Sequence, residues 1–210
     1  IERENFFKIM RSVLKQKSFV AYLCIFTLYQ SMVLLMTGSV PYVVRFILNE
    51  EAETESLIML GYIVVGLLSI PMWSKISQKV NNNKKMFVIG GALLTVLAIP
   101  FLFVNTVITV MLSVAFWAIG SIGFWVFMLP VLGDCVDEAA LRLGRREEGI
   151  YMGVRTFFGR IAIIIQASTF AIIHIATGFE PGSPTQTPIA ILGLRFQVAL
   201  IPMILMLIGV

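Results

Sequence analysis

Long apolar runs separated by short polar segments dominate the chain. Five stretches contain no Asp, Glu, Lys or Arg: 18–44, 56–74, 86–133, 161–179 and 196–210. A helix needs about 20 apolar residues to cross a membrane. The third stretch is 48 residues long, so it holds two helices, with a turn near Asn105. The pattern predicts six transmembrane helices at about 19–47, 56–75, 86–103, 107–132, 149–177 and 191–210, with a charged loop at 133–148.

Other fold classes do not fit this pattern. Barrel strands are about ten residues long and alternate in polarity, whereas these runs are long and do not alternate. Residues 1–17 are charged and polar, and the apolar run after them is too long for the core of a signal peptide. The predicted fold class is therefore an all-α membrane protein.

Composition supports a membrane protein. Hydrophobic residues make up 58% of the 210 residues and charged residues 13%, which is about half the charged share of about 25% in soluble domains. Mean hydropathy is +0.91. Cys24 and Cys135 give no disulfide framework, and a single histidine, His174, gives no cluster of metal ligands. We expect no metal site and no cofactor.

Basic residues occur at one set of helix ends, and they predict the orientation. The segments before the first helix, after the second and after the fourth contain Arg3, Lys8, Arg11, Lys15, Lys17, Lys75, Lys79, Lys84, Lys85, Arg142, Arg145 and Arg146. The opposite loops contain only acidic charges, Glu50, Glu51, Glu53, Glu55 and Glu180. The positive-inside rule then places both termini in the cytoplasm. Because the basic residues lie in short loops beside membrane helices, nucleic acid is not an expected partner.

The ends of the chain suggest a fragment. It starts with Ile1 on a basic segment and stops at Val210 inside an apolar run. We expect one half of a larger carrier, whose amino-terminal six-helix lobe is a partner. The alternative is a complete six-helix protein that dimerises.

Arg160 is the main candidate for a functional residue inside the membrane. It lies about eleven residues into the fifth predicted helix, about 16 Å deep, where a charge is costly and needs a polar cavity or a partner. Thr156 and His174 fall on the same helical stripe. The alternative is a structural arginine that caps carbonyl groups. Arg155, on another face, is expected to contact lipid headgroups or a loop.

Two further residues are predicted at a similar depth. Trp125 lies nine residues before Asp134, about 14 Å along its helix, which is too deep for an interface anchor. Gln30 lies near the middle of the first helix and is the best cavity-lining candidate there. Gly38 and Pro41 should bend the outer part of that helix. Ordinary helix packing remains an alternative for Trp125.

The segment 133–150 carries charges of both signs. Asp134, Asp137 and Glu138 precede a group of three arginines, Arg142, Arg145 and Arg146. A single exposed ion pair contributes only about 0–1 kcal/mol. A network of such pairs at the cytoplasmic helix ends can still shift an equilibrium between two states that differ by a few kcal/mol.

This region resembles the glycoside–pentoside–hexuronide:cation symporter family, the melibiose-carrier-like branch of the major facilitator superfamily. The resemblance is carried by Phe124-Trp125, the Asp134-x-x-Asp137 pair and Gly144-Arg145-Arg146-x-Glu148-Gly149, continuing to Gly153 and Thr156. It is specific over 120–175, diffuse over 1–110, and covers the chain as helices seven to twelve of such a carrier.

The resemblance implies cation-coupled symport of a sugar or glycoside by alternating access, in the plasma membrane. It implies that Trp125, Thr156 and Arg160 line the sugar site, and that Asp134, Asp137 and Arg146 form a cytoplasmic gate. The acids that bind the coupling ion, Na⁺ or H⁺, are expected in the amino-terminal half. Three departures are Arg160 in place of Lys, Arg155 in place of Gln and Glu138 in place of Tyr. A guanidinium forms bidentate bonds, which favours an acidic or phosphorylated substrate.

Other functions fit the sequence less well. An enzyme is not expected, because the sequence has neither a Gly-x-Ser-x-Gly element nor a cluster of metal ligands. The closest alternative is a cation-coupled symporter of a lysolipid or another anionic substrate with the same fold, in which Arg160 would contact the headgroup.

Overall fold

The computed structural model describes residues 6–144 and 146–209, apart from the side chains of 6–9 and 143. Its α-helices are α1 (Phe6–Val13), α2 (Lys17–Tyr42), α3 (Ala52–Val80), α4 (Asn83–Leu97), α5 (Val107–Leu143), α6 (Glu148–Thr177), α7 (Pro188–Arg195) and α8 (Ile201–Gly209). Two π-helical segments, Val43–Leu48 and Phe196–Leu200, and one 3₁₀ segment, Ile99–Phe103, connect or extend them.

Six helical segments of this part of the chain are long and apolar enough to span a membrane, which confirms the predicted fold class. They cover Lys17–Leu48, Ala52–Val80, Asn83–Phe103, Val107–Arg142, Glu148–Thr177 and Pro188–Gly209. Most extend beyond the predicted bounds, because polar residues that end a hydrophobic run still continue a helix. The last span begins at Pro188 rather than 191, where Thr187 accepts a hydrogen bond from the amide of Ala190 and proline is suited to the first helical turn.

The prediction of a loop over 133–148 is wrong for most of that segment. Helix α5 continues through Asp134 and Glu138 and ends only at Gly144, which adopts a left-handed conformation with φ of 70°. The sequence after Gly133 has no proline and is rich in helix-forming alanine and leucine. Glu138 and Arg142 form an i, i+4 ion pair at 2.5 Å, which supports the helix further.

The first span changes geometry beyond Pro41. Helix α2 is α-helical to Tyr42 and π-helical over Val43–Leu48, so the predicted irregularity of its outer part takes the form of a π-helical segment. Gly38 has a packing role, because an added Cβ would lie 2.6 Å from Nε2 of Gln166 on α6. The glycine thus permits close approach of α2 and α6.

The first span and α5 are the two most buried spans of the bundle. Helix α5 packs against α3 and α4, while α2 packs against α6 and α8. The ring of Phe124 on α5 stacks on Tyr29 of α2, with centroids 4.3 Å apart, and on Phe87 of α4, at 4.2 Å. These buried rings join three spans into one hydrophobic core.

The two ends of the bundle differ in charge. We call the end where α2, α4 and α6 begin the basic end, since it contains Lys15, Lys17, Lys79, Lys84, Lys85, Arg142 and Arg146. The opposite end is the acidic end, with Glu50, Glu51, Glu53, Glu55 and Glu180. Hydrogen bonds hold each end together: Asn83 bonds to Asp134 at the basic end, and Arg195 donates to the carbonyls of Leu102 and Val104 at the acidic end.

Helices α3 and α6 are the most exposed spans. Exposed apolar side chains on α3 include Leu67 and Leu68, and those on α6 include Ile164 and Ile172. Only a small part of α6 is buried within the bundle. The surfaces of these two spans therefore meet lipid or another protein segment.

Candidate functional site

The predicted residues of α6 lie on its exposed surface. Arg160 is exposed, twelve residues after the first residue of α6 and so about 18 Å along the helix. Thr156 is also exposed, and its hydroxyl donates to the carbonyl of Met152 at 2.8 Å, within its own helix. A guanidinium at this depth with an open surface is suited to a water-filled cleft rather than to hydrocarbon.

Trp125 and Gln30 are on the two helices beside α6. Trp125 on α5 is 56% exposed, although the adjacent Phe124 is fully buried in the core. Gln30 on α2 is half-buried. An indole face that the bundle leaves uncovered is available to stack on a ligand, whereas one used for packing within the lobe would be covered.

Arg155 makes the contact that links α5 to α6 near these residues. Its guanidinium lies 4.4 Å from the ring centroid of Phe26 on α2, and its NH2 group is 2.9 Å from the sulfur of Met128 on α5. Met128 is three residues after Trp125, so this contact brings the turn of α6 that carries Thr156 against the turn of α5 that carries Trp125. The expectation that Arg155 contacts lipid headgroups or a loop is wrong.

The environment of Arg155 has no counter-charge. Within 6–144 and 146–209, no carboxylate lies within ion-pair distance of it, and its Nε is buried without a hydrogen-bond partner. Tyr22, whose buried hydroxyl also lacks a partner, lies beside it. Phenyl and thioether groups stabilise a cation only weakly. The site is thus suited to an anion supplied from outside this lobe.

The three predicted gate residues lie at the basic end, but in two separate contacts. Arg146 lies 3.5 Å from the carboxylate of Asp137 and 3.6 Å from that of Glu148, and all three side chains are more than half exposed. Asp134 accepts a hydrogen bond from the side-chain amide of Asn83 at 3.3 Å. Arg145, also part of the predicted charge cluster, lies outside the described residues.

A buried network around Gln16 was missed by sequence reasoning. The Gln16 side chain is 7% exposed. Its amide nitrogen donates to the carbonyl of Cys135 at 2.9 Å and to Glu138 at 3.0 Å, and its amide oxygen accepts from the hydroxyl of Tyr151 at 2.6 Å. Ser18 also donates to Glu138. The network joins the start of α2 to α5 and α6. Gln16 lies in a charged segment that the sequence pattern marks as solvated, so no signal distinguished it.

His174 lies apart from Arg160, although both fall on the predicted stripe of α6. They are fourteen residues, or about 21 Å, apart along the helix. The His174 ring stacks on Phe179, with centroids 4.3 Å apart, and lies 5.2 Å from Tyr42. His174 therefore belongs to an aromatic cluster at the acidic end.

Six membrane-length helices with an exposed arginine deep in one of them define a polytopic membrane protein built like one lobe of a transporter. Comparison with known families agrees: the family described as MFS/sugar transport protein matches residues 2–210. The chain belongs to this family, as its resemblance to a branch of the major facilitator superfamily predicted.

A curated relative also matches. It is the glucuronide carrier protein homolog of Escherichia coli (strain K12), 28% identical over 170 residues, which cover 80% of this chain and 36% of the relative. The chain thus spans about a third of the length of that relative.

Proposed function

We propose that the chain is one six-helix lobe of a secondary transporter that moves an acidic sugar, of the uronide class, across the membrane by alternating access. The observation that carries this proposal is the guanidinium of Arg155, half-buried at the junction of α2, α5 and α6 without a carboxylate partner among the described residues. A carboxylate on the substrate would supply the missing charge.

The neighbouring side chains suit the rest of a sugar. The exposed indole of Trp125 offers a face for the apolar C–H groups of a pyranose ring. The hydroxyl of Thr156 can accept from a sugar hydroxyl. Arg160, about one turn beyond Thr156, provides a second guanidinium with a bidentate donor pair. The curated relative is named as a glucuronide carrier protein homolog, and this name is consistent with a uronide substrate.

In this proposal the lobe works against a second lobe of six helices. Part of the exposed surface of α3 and α6, including Thr156 and Arg160, would face that lobe, and substrate would bind between the two lobes near the middle of the membrane. The ion pairs among Asp137, Arg146 and Glu148 would contribute to the gate at the basic end. The basic end would face the cytoplasm of a cell with this carrier in its plasma membrane.

Coupling to a cation is part of the proposal and rests on the family resemblance. The charge-free stretches of the sequence leave the middle of each span without a carboxylate, so the coupling site for Na⁺ or H⁺ would lie in the preceding lobe. Transport leaves the solute chemically unchanged, and no catalytic residue is assigned.

Uptake by the full-length carrier in proteoliposomes tests this function. Labelled glucuronide, a matched neutral glucoside and a lysolipid would be offered with and without a Na⁺ or pH gradient. We expect gradient-driven accumulation of the glucuronide. Arg155→Gln should reduce glucuronide uptake at least tenfold, since a charge-assisted hydrogen bond contributes about 1.5–3 kcal/mol, and should leave uptake of the neutral glucoside closer to normal.

Two controls separate charge from structure. Arg155→Lys retains the charge but loses the planar fork, so glucuronide uptake should fall less than in Arg155→Gln. Lys79→Gln removes an exposed positive charge at the basic end, away from the proposed substrate site, and should leave uptake of both sugars unchanged. Equal loss of both sugars in Arg155→Gln would contradict a role in reading the carboxylate, and movement of the lysolipid alone would support the alternative substrate.

A further inference from the structure

A buried polar junction lies at the acidic end, away from the proposed substrate site. It consists of Ser39 on α2, His174 on α6 and Gln197 in the last span. Gln197 is 0% exposed, and its amide nitrogen donates to the hydroxyl of Ser39 at 3.0 Å. Gln197 lies beside His174. The amide oxygen of Gln197 and the Nε2 atom of His174 are both buried without a hydrogen-bond partner.

The two unpartnered atoms are complementary. The amide oxygen of glutamine can only accept, whereas an imidazole nitrogen donates when it carries a proton. Neutral imidazole carries its proton on only one of two nitrogens, while imidazolium donates from both. A small side-chain rotation that brings Nε2 of His174 to the amide oxygen of Gln197 therefore gives this oxygen a hydrogen bond whenever Nε2 carries a proton. A buried amide oxygen without a hydrogen bond costs free energy.

The surroundings of His174 also suit a cation. Its ring stacks on Phe179 at 4.3 Å and lies 5.2 Å from Tyr42 and 5.8 Å from Phe170. Aromatic faces attract cations. Tyr42 is the titratable group that faces the ring in the described structure, and no charged side chain contacts it there.

A cavity lies beside this cluster, and the backbone around it is irregular. A cavity of about 450 Å³ at the acidic end is lined by Tyr42, Arg45, Phe46 and Phe179, and by Pro181 and Gly182. The guanidinium of Arg45 lies over Phe46, 5.3 Å from its centroid. Both π-helical segments found among the described residues are here: Val43–Leu48 follows Tyr42, and Phe196–Leu200 contains Gln197. π-Helical turns frequently mark functional sites.

We propose that His174 is a proton-binding site whose occupancy sets the packing of α2, α6 and the last span at the acidic end. A proton from the solvent adds to the free ring nitrogen, and no other bond forms or breaks. The imidazolium then donates from Nε2 to the amide oxygen of Gln197, which is anchored to Ser39, and its charge is held among the rings of Phe179, Tyr42 and Phe170. The proposal does not depend on which solute the carrier moves.

Histidine-selective ¹⁵N labelling of the full-length carrier tests proton binding directly. His174→Gln identifies its resonance by difference. We expect this ring to titrate between about pH 5 and 8. Gln197→Glu should raise its midpoint by about one pH unit or more, because an adjacent carboxylate favours the charged ring. Phe179→Leu should lower it, since a stacked aromatic face is lost. Gln78→Glu, the same change at an exposed position of α3 at the basic end, is the matched control and should leave the midpoint unchanged.

A second measurement tests the conformational part. Spin labels on Glu50→Cys and Ile175→Cys, in a Cys24→Ser background that retains the buried Cys135, report the distance between the segment that follows the first span and the acidic end of α6. Ile175 is 82% exposed, so its label does not enter the core of this lobe, and uptake by the labelled carrier checks that the label leaves the whole protein active. We expect the distance distribution to change across the His174 titration and to become independent of pH in His174→Gln. A ring that does not titrate in this range, a midpoint insensitive to Gln197→Glu, or identical distances on both sides of the midpoint would each overturn the proposal.

Discussion

At the scale of single residues, the hydrogen bonds of Gln16 show how a polar side chain organises the basic end. Gln16 binds the carbonyl of Cys135, the carboxylate of Glu138 and the hydroxyl of Tyr151 at one buried point. Buried polar groups are costly unless paired. Removing one partner therefore leaves another without a partner, and the loss exceeds that of the deleted bond alone.

The hydroxyl of Tyr151 can be removed without changing the packing of its ring. The ring lies edge-on to Phe19 with centroids 4.5 Å apart, and Tyr151→Phe preserves this contact. The loss of the bond to Gln16 should lower the free energy of unfolding by about 1 kcal/mol. Gln16→Ala, which leaves Glu138 and Tyr151 with fewer partners, should cost more, about 2–3 kcal/mol. Unfolding in mixed micelles against increasing denaturing detergent measures both.

Tyr42→Phe is the matched control, because the Tyr42 hydroxyl has no hydrogen-bond partner in the part of the chain that the structure describes. This variant should unfold like the parent protein. If Tyr151→Phe were as stable as Tyr42→Phe, the Gln16 network would make no contribution to stability.

The roles of individual residues were the hardest feature to predict from the sequence. Arg160 could be identified from the sequence alone, because a charged residue deep in an apolar run is rare. Arg155 lies close to the end of its run, so its depth gave no such signal. Its importance follows only from Phe26 and Met128, which come from two other spans and which periodicity does not connect to it.

At the scale of helices, the presence of each transmembrane helix was easier to predict than the residue at which it ends. Each span was evident because lipid demands about 20 apolar residues. The extension of α5 beyond Gly133 was missed because the membrane spans were predicted from stretches without charged residues. Charged residues end a membrane span but do not prevent a helix from continuing. The end of α5 at Gly144 needs a left-handed residue, for which glycine is favoured.

Glycines set how closely α5 approaches its neighbours. An added Cβ at Gly123 would lie 2.2 Å from a ring atom of Trp73 on α3, and the indole nitrogen of Trp73 donates to the carbonyl of Ile119 at 2.8 Å. A real Cβ would force this indole away and break that bond. Gly123→Ala should therefore destabilise the lobe by about 1–3 kcal/mol, measured by the same unfolding assay in micelles.

Gly133→Ala provides the comparison on the same helix. Nothing lies within 4 Å of a Cβ added at Gly133, so only helix propensity changes, and stability should rise by up to about 1 kcal/mol. Opposite signs for the two substitutions would attribute the effect of Gly123→Ala to contact with α3. A stabilising Gly123→Ala would show that the indole of Trp73 moves at little cost.

At the scale of the whole molecule, two properties have to be reconciled. The six spans bury a continuous core of their own, yet α3 and α6 remain largely exposed, and α6 carries Arg160 on its exposed surface. A guanidinium facing hydrocarbon is unfavourable by several kcal/mol, whereas apolar residues such as Ile172, which is exposed about 120° around the helix from Arg160, are stable there. The exposed surface of α6 is therefore divided: its apolar part suits lipid, and the part with Thr156 and Arg160 suits the water-filled cleft between two lobes.

The difference in charge between the two ends predicts how the lobe is oriented in the membrane. Because lysines and arginines are retained on the cytoplasmic side during insertion, the basic end should face inward. Cysteines would be introduced one at a time at four exposed positions, Glu51, Glu180, Lys79 and Arg146, in a Cys24→Ser background that retains the buried Cys135. Intact cells would then be treated with a membrane-impermeant maleimide. Glu51→Cys and Glu180→Cys should react, and Lys79→Cys and Arg146→Cys should react only after permeabilisation. The reverse pattern would place the proposed gate outside and the His174 site in contact with the cytoplasm, so that cytoplasmic rather than external pH would control its occupancy.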